Sequence, residues 1–223
     1  MGISENMGII FDMDGTLLDS ERLVLKCWEE VGESQGYTDI GEMVISCMGL
    51  NKDATRKKMQ LRYGEDFPYD KLLFKVREMF MEMSNGDFLP LKPGVMETLE
   101  FFAGKNVKMS VATSTSTRVA TEELENRDIA SYFENIVGGD MVSSSKPAPD
   151  IYLLACKLQN VKPSISFAIE DSHNGVRSAS SAGLRTIMVP DMAPATEEMS
   201  KLAETILPTM IDARNYIARV WEL

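Results

Sequence analysis

The spacing of apolar residues changes period several times along the chain, and those changes divide it. Ile9, Ile10 and Phe11 form a short continuous run, β-branched and aromatic, which is the pattern of a strand buried on both faces. The next apolar residues fall at helical spacing. Leu23, Cys27 and Val31 stand at i, i+4 and i+8, with Val24 and Trp28 beside them, so an amphipathic helix is predicted from Ser20 to its stop at Gly36. Gly41 to Met48 predicts a second, short helix closed by Gly49. A basic helix follows, with Asn51 or Asp53 as its cap. Pro68 then precedes a longer helix that carries Leu72, Leu73, Val76, Phe80 and Met83 on one face and stops at Asn85-Gly86. Four helical patterns without a strand pattern make 20–88 an all-helical insertion.

From Phe88 onward strands and helices alternate. Helices are predicted at Gly94–Ala103, Ser116–Asn126, Pro149–Leu158, His173–Ala182 and Thr209–Leu223. Strands are predicted at Val107–Ala112, Asn135–Val137, Ile165–Ile169 and Thr186–Val189. This alternation predicts an α/β fold, a doubly wound, Rossmann-like parallel sheet built from 1–19 and 89–223 and interrupted by the helical domain at 20–88. No internal repeat or low-complexity stretch is visible.

The chemistry-bearing residues cluster at predicted strand ends. The first strand empties into Asp12-Met13-Asp14-Gly15-Thr16. A calcium loop would need a preceding helix and its glycine at the sixth position, and here a strand precedes and the glycine is fourth. Two carboxylates this close repel unless a cation or a shared proton intervenes, so the stretch implies a metal or acid–base chemistry. Later strands end in Thr113-Ser114-Thr115-Ser116 and in Glu170-Asp171, and Lys146 stands just before Pro147. In a parallel sheet those ends share one edge, where such sheets bind ligands. Asp12, Glu170 and Asp171 are hard oxygen ligands suited to Mg2+. Thr113 and Ser114 offer a hydroxyl and N–H groups at a predicted helix N-terminus, an anion cradle. Lys146 adds a positive charge, on a loop that Ser143 to Ser145 make pliable by composition. Taken singly, these residues read as helix caps or solvated charges; their shared edge is what points to a phosphate site.

Composition narrows the setting. The 223 residues carry a net charge of −11, which argues against general nucleic-acid binding and leaves an anionic substrate to be drawn in locally. Cys27, Cys47 and Cys156 show no metal-ligand spacing and are expected to be reduced and buried. The N-terminus lacks the pattern of a signal peptide and no apolar run approaches a membrane span, so a cytoplasmic monomer is expected.

The segment GIIFDMDGTLLDS, the Thr113-Ser114 pair after VKMSVA, Lys146 within SKPAPDIY and Glu170-Asp171 within EDSHNGVRSASSAGL together resemble the four motifs of the haloacid dehalogenase superfamily. They resemble in particular the subfamily with a helical cap inserted after the first motif, the β-phosphoglucomutase-like phosphatase group. The resemblance covers the core; the cap matches only in position and helical character. It implies phosphoryl transfer through an aspartyl-phosphate, with Asp12 as nucleophile and Asp14 as general acid and base, kept protonated by its proximity to Asp12. Lys146 and Thr113 or Ser114 would stabilise the transferring oxygens, and the main-chain carbonyl of Asp14 would join Asp12, Glu170 and Asp171 around Mg2+. The cap would close over a small phosphorylated metabolite, with a sugar phosphate as the substrate class. Met48, Gly49, Leu50, Lys52 and Arg56 are the candidate substrate-contacting residues of the cap. Mutase relatives carry a cap histidine and a cap arginine where this chain has Val24 and Ser46, which favours hydrolysis. A phosphohexomutase using Arg22, Lys26, Lys52 or Arg56 instead, and a non-catalytic phosphometabolite-binding protein, are the alternatives. The only histidine, His173, reads as a cap or surface residue rather than a catalyst.

Overall fold

The structure is a computed structural model and describes residues 6–47, 52–84 and 89–223. The chain divides into two compact units, one of Met1–Leu18 with Leu91–Leu223 and the other of Asp19–Pro90. The first is a six-stranded parallel sheet with helices around it. Its strands are β1 (Gly8–Phe11), β2 (Lys108–Ala112), β3 (Asn135–Val137), β4 (Phe167–Glu170), β5 (Arg185–Met188) and β6 (Thr205–Ile206), in the spatial order β3-β2-β1-β4-β5-β6. The chain thus builds outward from β1 in one direction through β3, then returns to build the other way from β4. That reversal is a topological switch point, and its crevice lies between β1 and β4 at their carboxyl ends.

The helical unit contains α1 (Ser20–Glu33), α2 (Ile40–Cys47), α3 (Lys52–Tyr63) and α4 (Tyr69–Ser84). It turns its own apolar face inward: Leu23, Cys27, Trp28, Val31, Ile40, Val44, Met59, Leu72 and Val76 are buried. The α/β unit adds α5 (Val95–Gly104), α6 (Thr117–Glu125), α7 (Asp150–Gln159), α8 (His173–Ser181), α9 (Glu197–Leu202) and α10 (Met210–Trp221). Alternation along each strand sends Ile10, Ala112 and Ala168 to one face, where they meet Ile151, Tyr152, Ala155 and Cys156 of α7 and Ala179 of α8. Phe167 points the other way, against the Tyr216 and Trp221 rings of α10 at 6.2 and 5.2 Å between centroids. β1 is buried at every position, as a central parallel strand must be.

The two connections to the helical unit run side by side. Asp19 N–H donates to the Pro90 carbonyl at 2.9 Å, Leu18 bridges Leu91, and Lys92 N–H donates to the Leu17 carbonyl at 2.9 Å. Three expectations need correction. Ile165 belongs to a 3-10 turn, Pro163–Ile165, which Pro163 begins and the Ser166 N–H closes onto the Pro163 carbonyl, so β4 starts only at Phe167 and Glu170 is its last residue. Asp53 is not the cap of α3 but a residue of its first turn, bonded to Arg56; Asn51 lies outside the described residues. Residues 191–208, where the sequence pattern predicts no element, hold α9 and β6, elements of six and two residues that are too short to show a period. Cys27, Cys47 and Cys156 are free and buried. Among the described residues no helix is long and apolar enough to cross a membrane.

Candidate active site

Register places the first acid. Phe11 pairs with Val111 on one side and Ile169 on the other, so Asp12, Ala112 and Glu170 come next at one level of the sheet. Asp12 N–H still donates to the Ile169 carbonyl at 2.9 Å, which holds its backbone in strand alignment. Asp12, Glu170 and Asp171 are all more than nine-tenths buried, and each offers a carboxylate oxygen within 4.8 Å of the others.

Lys146 reaches this cluster from the loop before α7, and its side chain is 6 % exposed. Its ammonium donates to Asp12 Oδ1, to Glu170 Oε1 at 2.7 Å and to the Ala112 carbonyl at 3.0 Å, with the Tyr152 hydroxyl oxygen a longer fourth acceptor at 3.4 Å. The Tyr152 ring of α7 lies 5.0 Å from the ammonium, and its hydroxyl donates to Glu170 Oε1 at 2.8 Å. The other oxygen of Glu170, Oε2, accepts from Asp171 N–H (3.1 Å), Ser172 N–H (3.1 Å) and the Ser172 hydroxyl (3.0 Å). Glu170 is thus fixed by five donors, and Asp171 accepts from the Thr16 hydroxyl at 2.8 Å. Two glycines make room for these acids. A Cβ on Gly15, whose φ is +80°, would meet Asp171 Oδ2 at 2.4 Å, and one on Gly175 would meet Glu170 Oε1 at 1.7 Å.

Burial dominates the electrostatics. It pushes the Asp12 carboxyl up to about 8, against the pull of Lys146 and with a further push from Glu170. Burial alone would lower the Lys146 pKa, but Asp12 and Glu170 together hold it above its ordinary value. The Tyr152 hydroxyl is pushed up by burial and then by Glu170.

Asp14 has a different environment. It is half-buried, and its Oδ2 accepts from the hydroxyls of Thr115 at 2.8 Å and Thr113 at 3.3 Å. Its carboxylate therefore stands apart from the buried cluster although only one residue separates it from Asp12. Thr113 is also the acceptor for Thr115 N–H at 3.1 Å.

The α/β unit brings Asp12, Lys146, Glu170 and Asp171 into one buried cluster, and holds Asp14 with Thr113 and Thr115 in a second hydrogen-bonded group. Thr113 and Ser114 do not form a helix N-terminus, as the sequence suggests: α6 begins only at Thr117, with Ser116 as N-cap, and Ser114 is exposed. The intervening turn exists because Gly138 and Gly139 pack against it. Among the expected cap contacts, Met48, Gly49 and Leu50 lie outside the described residues. Lys52 and Arg56 are both paired with Asp70, Lys52 at 3.0 Å and Arg56 at 2.9 Å, and the Arg56 guanidinium lies 5.5 Å over the Tyr69 ring. Lys52 and Arg56 are thus already matched by an acid within their own unit. His173 is the first residue of α8 rather than its cap, which is Ser172; its Nε2–H donates to the Pro194 carbonyl at 2.9 Å. Thr16, Thr115 and Tyr152 are site residues that sequence reasoning passed over. For Thr16 and Thr115 the signal was present, as hydroxyls inside the two motifs.

The donor set fits a hard divalent cation. Among the described residues, three buried carboxylates cluster around the Lys146 ammonium, and the burial that raises the Asp12 pKa makes a further cation there favourable. All donors are oxygen, with no thiolate or imidazole to favour a softer metal.

Comparison with known proteins agrees with this geometry. A model of the haloacid dehalogenase-like hydrolase family matches residues 9–189. A phosphorylated carbohydrates phosphatase of Thermotoga maritima is 36% identical over 183 residues, covering 80% of this chain and 82% of that protein. The fructose-1-phosphate phosphatase of Escherichia coli is 30% identical over 189 residues, covering 82% of this chain and 95% of its own. Among solved structures, a candidate β-phosphoglucomutase of Thermotoga maritima superposes with a TM-score of 0.74 at 31% identity, over 97% of this chain and 98% of that one.

Proposed function

The chain belongs to the haloacid dehalogenase-like hydrolase family, and from that premise we propose that it hydrolyses a small phosphate monoester, a sugar phosphate, through a phosphoaspartate on Asp12. One observation carries this reading: Asp12 and Asp14 share a turn but occupy opposite environments. Asp12 is buried against an ammonium and two acids, whereas Asp14 is half-buried and held by two hydroxyls. Two carboxylates separated in this way take different roles, one as nucleophile and one as proton carrier.

A carboxylate oxygen of Asp12 attacks phosphorus, the ester P–O bond breaks, and Asp14 delivers its proton to the departing alkoxide. Asp14, now a carboxylate, takes a proton from water as the water oxygen attacks the phosphoaspartate, which frees inorganic phosphate and restores Asp12. The Lys146 ammonium and the N–H groups and hydroxyls of the Thr113–Ser114 turn face the charge that develops on the phosphoryl oxygens. Asp12, Glu170 and Asp171, with the main-chain carbonyl of Asp14, are the residues that would hold Mg2+, which supplies charge neutralisation for the phosphoryl group. The α/β unit is the catalytic domain in this reading, and the Asp19–Pro90 unit is the cap that selects the substrate.

Phosphorus NMR with Mg2+ and a panel of sugar phosphates, including hexose 1-phosphates with a trace of bisphosphate, tests the proposal. Free phosphate that disappears in Asp12→Asn is the expected result; ligand binding without turnover in the wild type would overturn it. The likeness to a candidate β-phosphoglucomutase keeps a second reading in view, and conversion of a 1-phosphate into a 6-phosphate without net release would establish it instead.

A further inference from the structure

We propose that Asp140 is a positioning residue for the phosphoryl-binding turn: its carboxylate caps α6 from outside the helix and thereby fixes residues 113–117. The inference rests on the phosphatase reading of that turn.

The N-cap residue of α6, Ser116, makes no side-chain cap hydrogen bond. That office falls to Asp140, in the 3-10 turn Gly139–Met141 that follows β3. Its Oδ1 accepts from Thr117 N–H at 2.6 Å and from the Thr117 hydroxyl at 2.8 Å. The same Thr117 oxygen accepts from Gly138 N–H at 3.2 Å, and Gly139 N–H donates to the Thr115 carbonyl at 2.9 Å. Two consecutive backbone donors and one carboxylate therefore hold the turn at residues 115 and 117. Those residues bracket the turn's fit to the site, because the Thr115 hydroxyl is the shorter of the two hydrogen bonds on Asp14.

The packing says the same by an independent route. A Cβ on Gly138 would stand 2.2 Å from Thr117 N, and one on Gly139 would stand 2.6 Å from the Ser114 carbonyl oxygen. Neither glycine has a left-handed φ, so what the fold requires of them is the missing side chain and not backbone freedom. The two donors from Thr117 also hold the Asp140 carboxyl below its ordinary range, which favours its anionic form. The positive end of α6 is thus committed to a protein carboxylate. Substrate phosphate is left to the turn upstream, and the place of that turn depends on Asp140.

Asp140→Ala is expected to lower kcat/KM by at least about tenfold, and to weaken competitive inhibition by inorganic phosphate by a similar factor, because displaced binding groups lose their alignment. Asp140→Asn, whose amide oxygen still accepts both bonds, is expected to stay within about threefold of wild type. Gly139→Ala leaves the cap intact and pushes on Ser114 directly, and it is expected to raise KM and the phosphate inhibition constant as Asp140→Ala does. Thr209→Ala is the stability control, since Thr209 caps α10 through Asp212 N–H at 3.1 Å and lies outside the site. An Asp140→Ala enzyme that loses thermal stability as Thr209→Ala does, yet keeps wild-type kinetics and phosphate inhibition, would overturn the proposal. So would wild-type kinetics in folded Gly139→Ala, or an Asn variant as impaired as Ala. Asp12→Asn is assayed alongside: undiminished turnover there would condemn the phosphatase reading itself, whereas loss there with unchanged Asp140 variants condemns only this inference.

Discussion

Gly175 occupies the first turn of α8 directly against the Glu170 carboxylate, so closely that a methyl group there would overlap Oε1 at 1.7 Å. Five donors hold the acid in place, so a retreat from that methyl group breaks hydrogen bonds. Gly175→Ala is therefore expected to displace Glu170, to cost about 1–3 kcal/mol of stability by overpacking, and to weaken metal binding. Urea unfolding and calorimetric titration of Mg2+ against the wild type and the variant check both effects. An unchanged metal affinity would show that the helix moves and the acid does not.

The Lys146 ammonium is bonded to both Asp12 and Glu170. Lys146→Met keeps the volume and removes the charge, leaving Asp12 and Glu170 without their cation, which is expected to cost about 3–5 kcal/mol in metal-free protein. Because a bound divalent cation would supply the missing charge, the loss should shrink when Mg2+ is present. Unfolding midpoints in EDTA and in MgCl2, compared for the two proteins, measure this difference.

Thr115→Val removes the 2.8 Å hydrogen bond to Asp14 and leaves the buried cluster alone. One such bond contributes about 1 kcal/mol, so kcat should fall about fivefold. Thr115→Ser retains the hydroxyl and should retain most of the rate. Steady-state kinetics of the pair separate the hydroxyl from the methyl.

Alkaline pH is expected to weaken the fold. Burial pushes the Cys156 thiol up to about 12. The Tyr63 hydroxyl also rises to about 12, through burial and then its bond to Asp39. In the unfolded chain such groups lose their protons near about pH 8.5 and about pH 10. Between those values and about 12 the folded state binds more protons than the unfolded one, so stability is fully present below about pH 8.5 and falls as pH rises through that window. Urea midpoints at pH 8, 10 and 11 should decline, and Cys156→Ala should flatten the decline.

The parts of the site that the sequence displays most plainly are those carried by strand period. An apolar triplet followed by Asp12, and another strand pattern followed by Glu170-Asp171, already implies acids at one edge of a parallel sheet; that β1 and β4 are neighbours is seen only in the structure. Lys146 was harder to read. Three serines precede it and suggest a mobile loop, yet its ammonium is held by Asp12 just past β1, Ala112 of β2 and Glu170 of β4, and no local pattern encodes that meeting. Tyr152 and Asp140 were hidden for a similar reason. On a helical wheel Tyr152 is one more buried aromatic of α7, and its hydroxyl matters only because α7 crosses beside Glu170. Thr113 and Ser114 were misplaced onto a helix start because a run of serines and threonines looks like a cap wherever it lies. The extra turn before α6 is made by a distant Gly-Gly-Asp, not by the run itself.

The paired exits at Leu18–Asp19 and Pro90–Leu91 have a further consequence. Because the chain leaves the sheet and re-enters it at neighbouring points, the long helical excursion adds nothing to the path that links β1 with α5. The excursion is a cassette. It is open to replacement, shortening or redesign by a segment whose ends meet the same two neighbours, while the acids and the lysine at the sheet edge keep their positions. On the function proposed above, in which this unit selects the substrate, editing one contiguous stretch of gene changes the preference and leaves the reaction untouched.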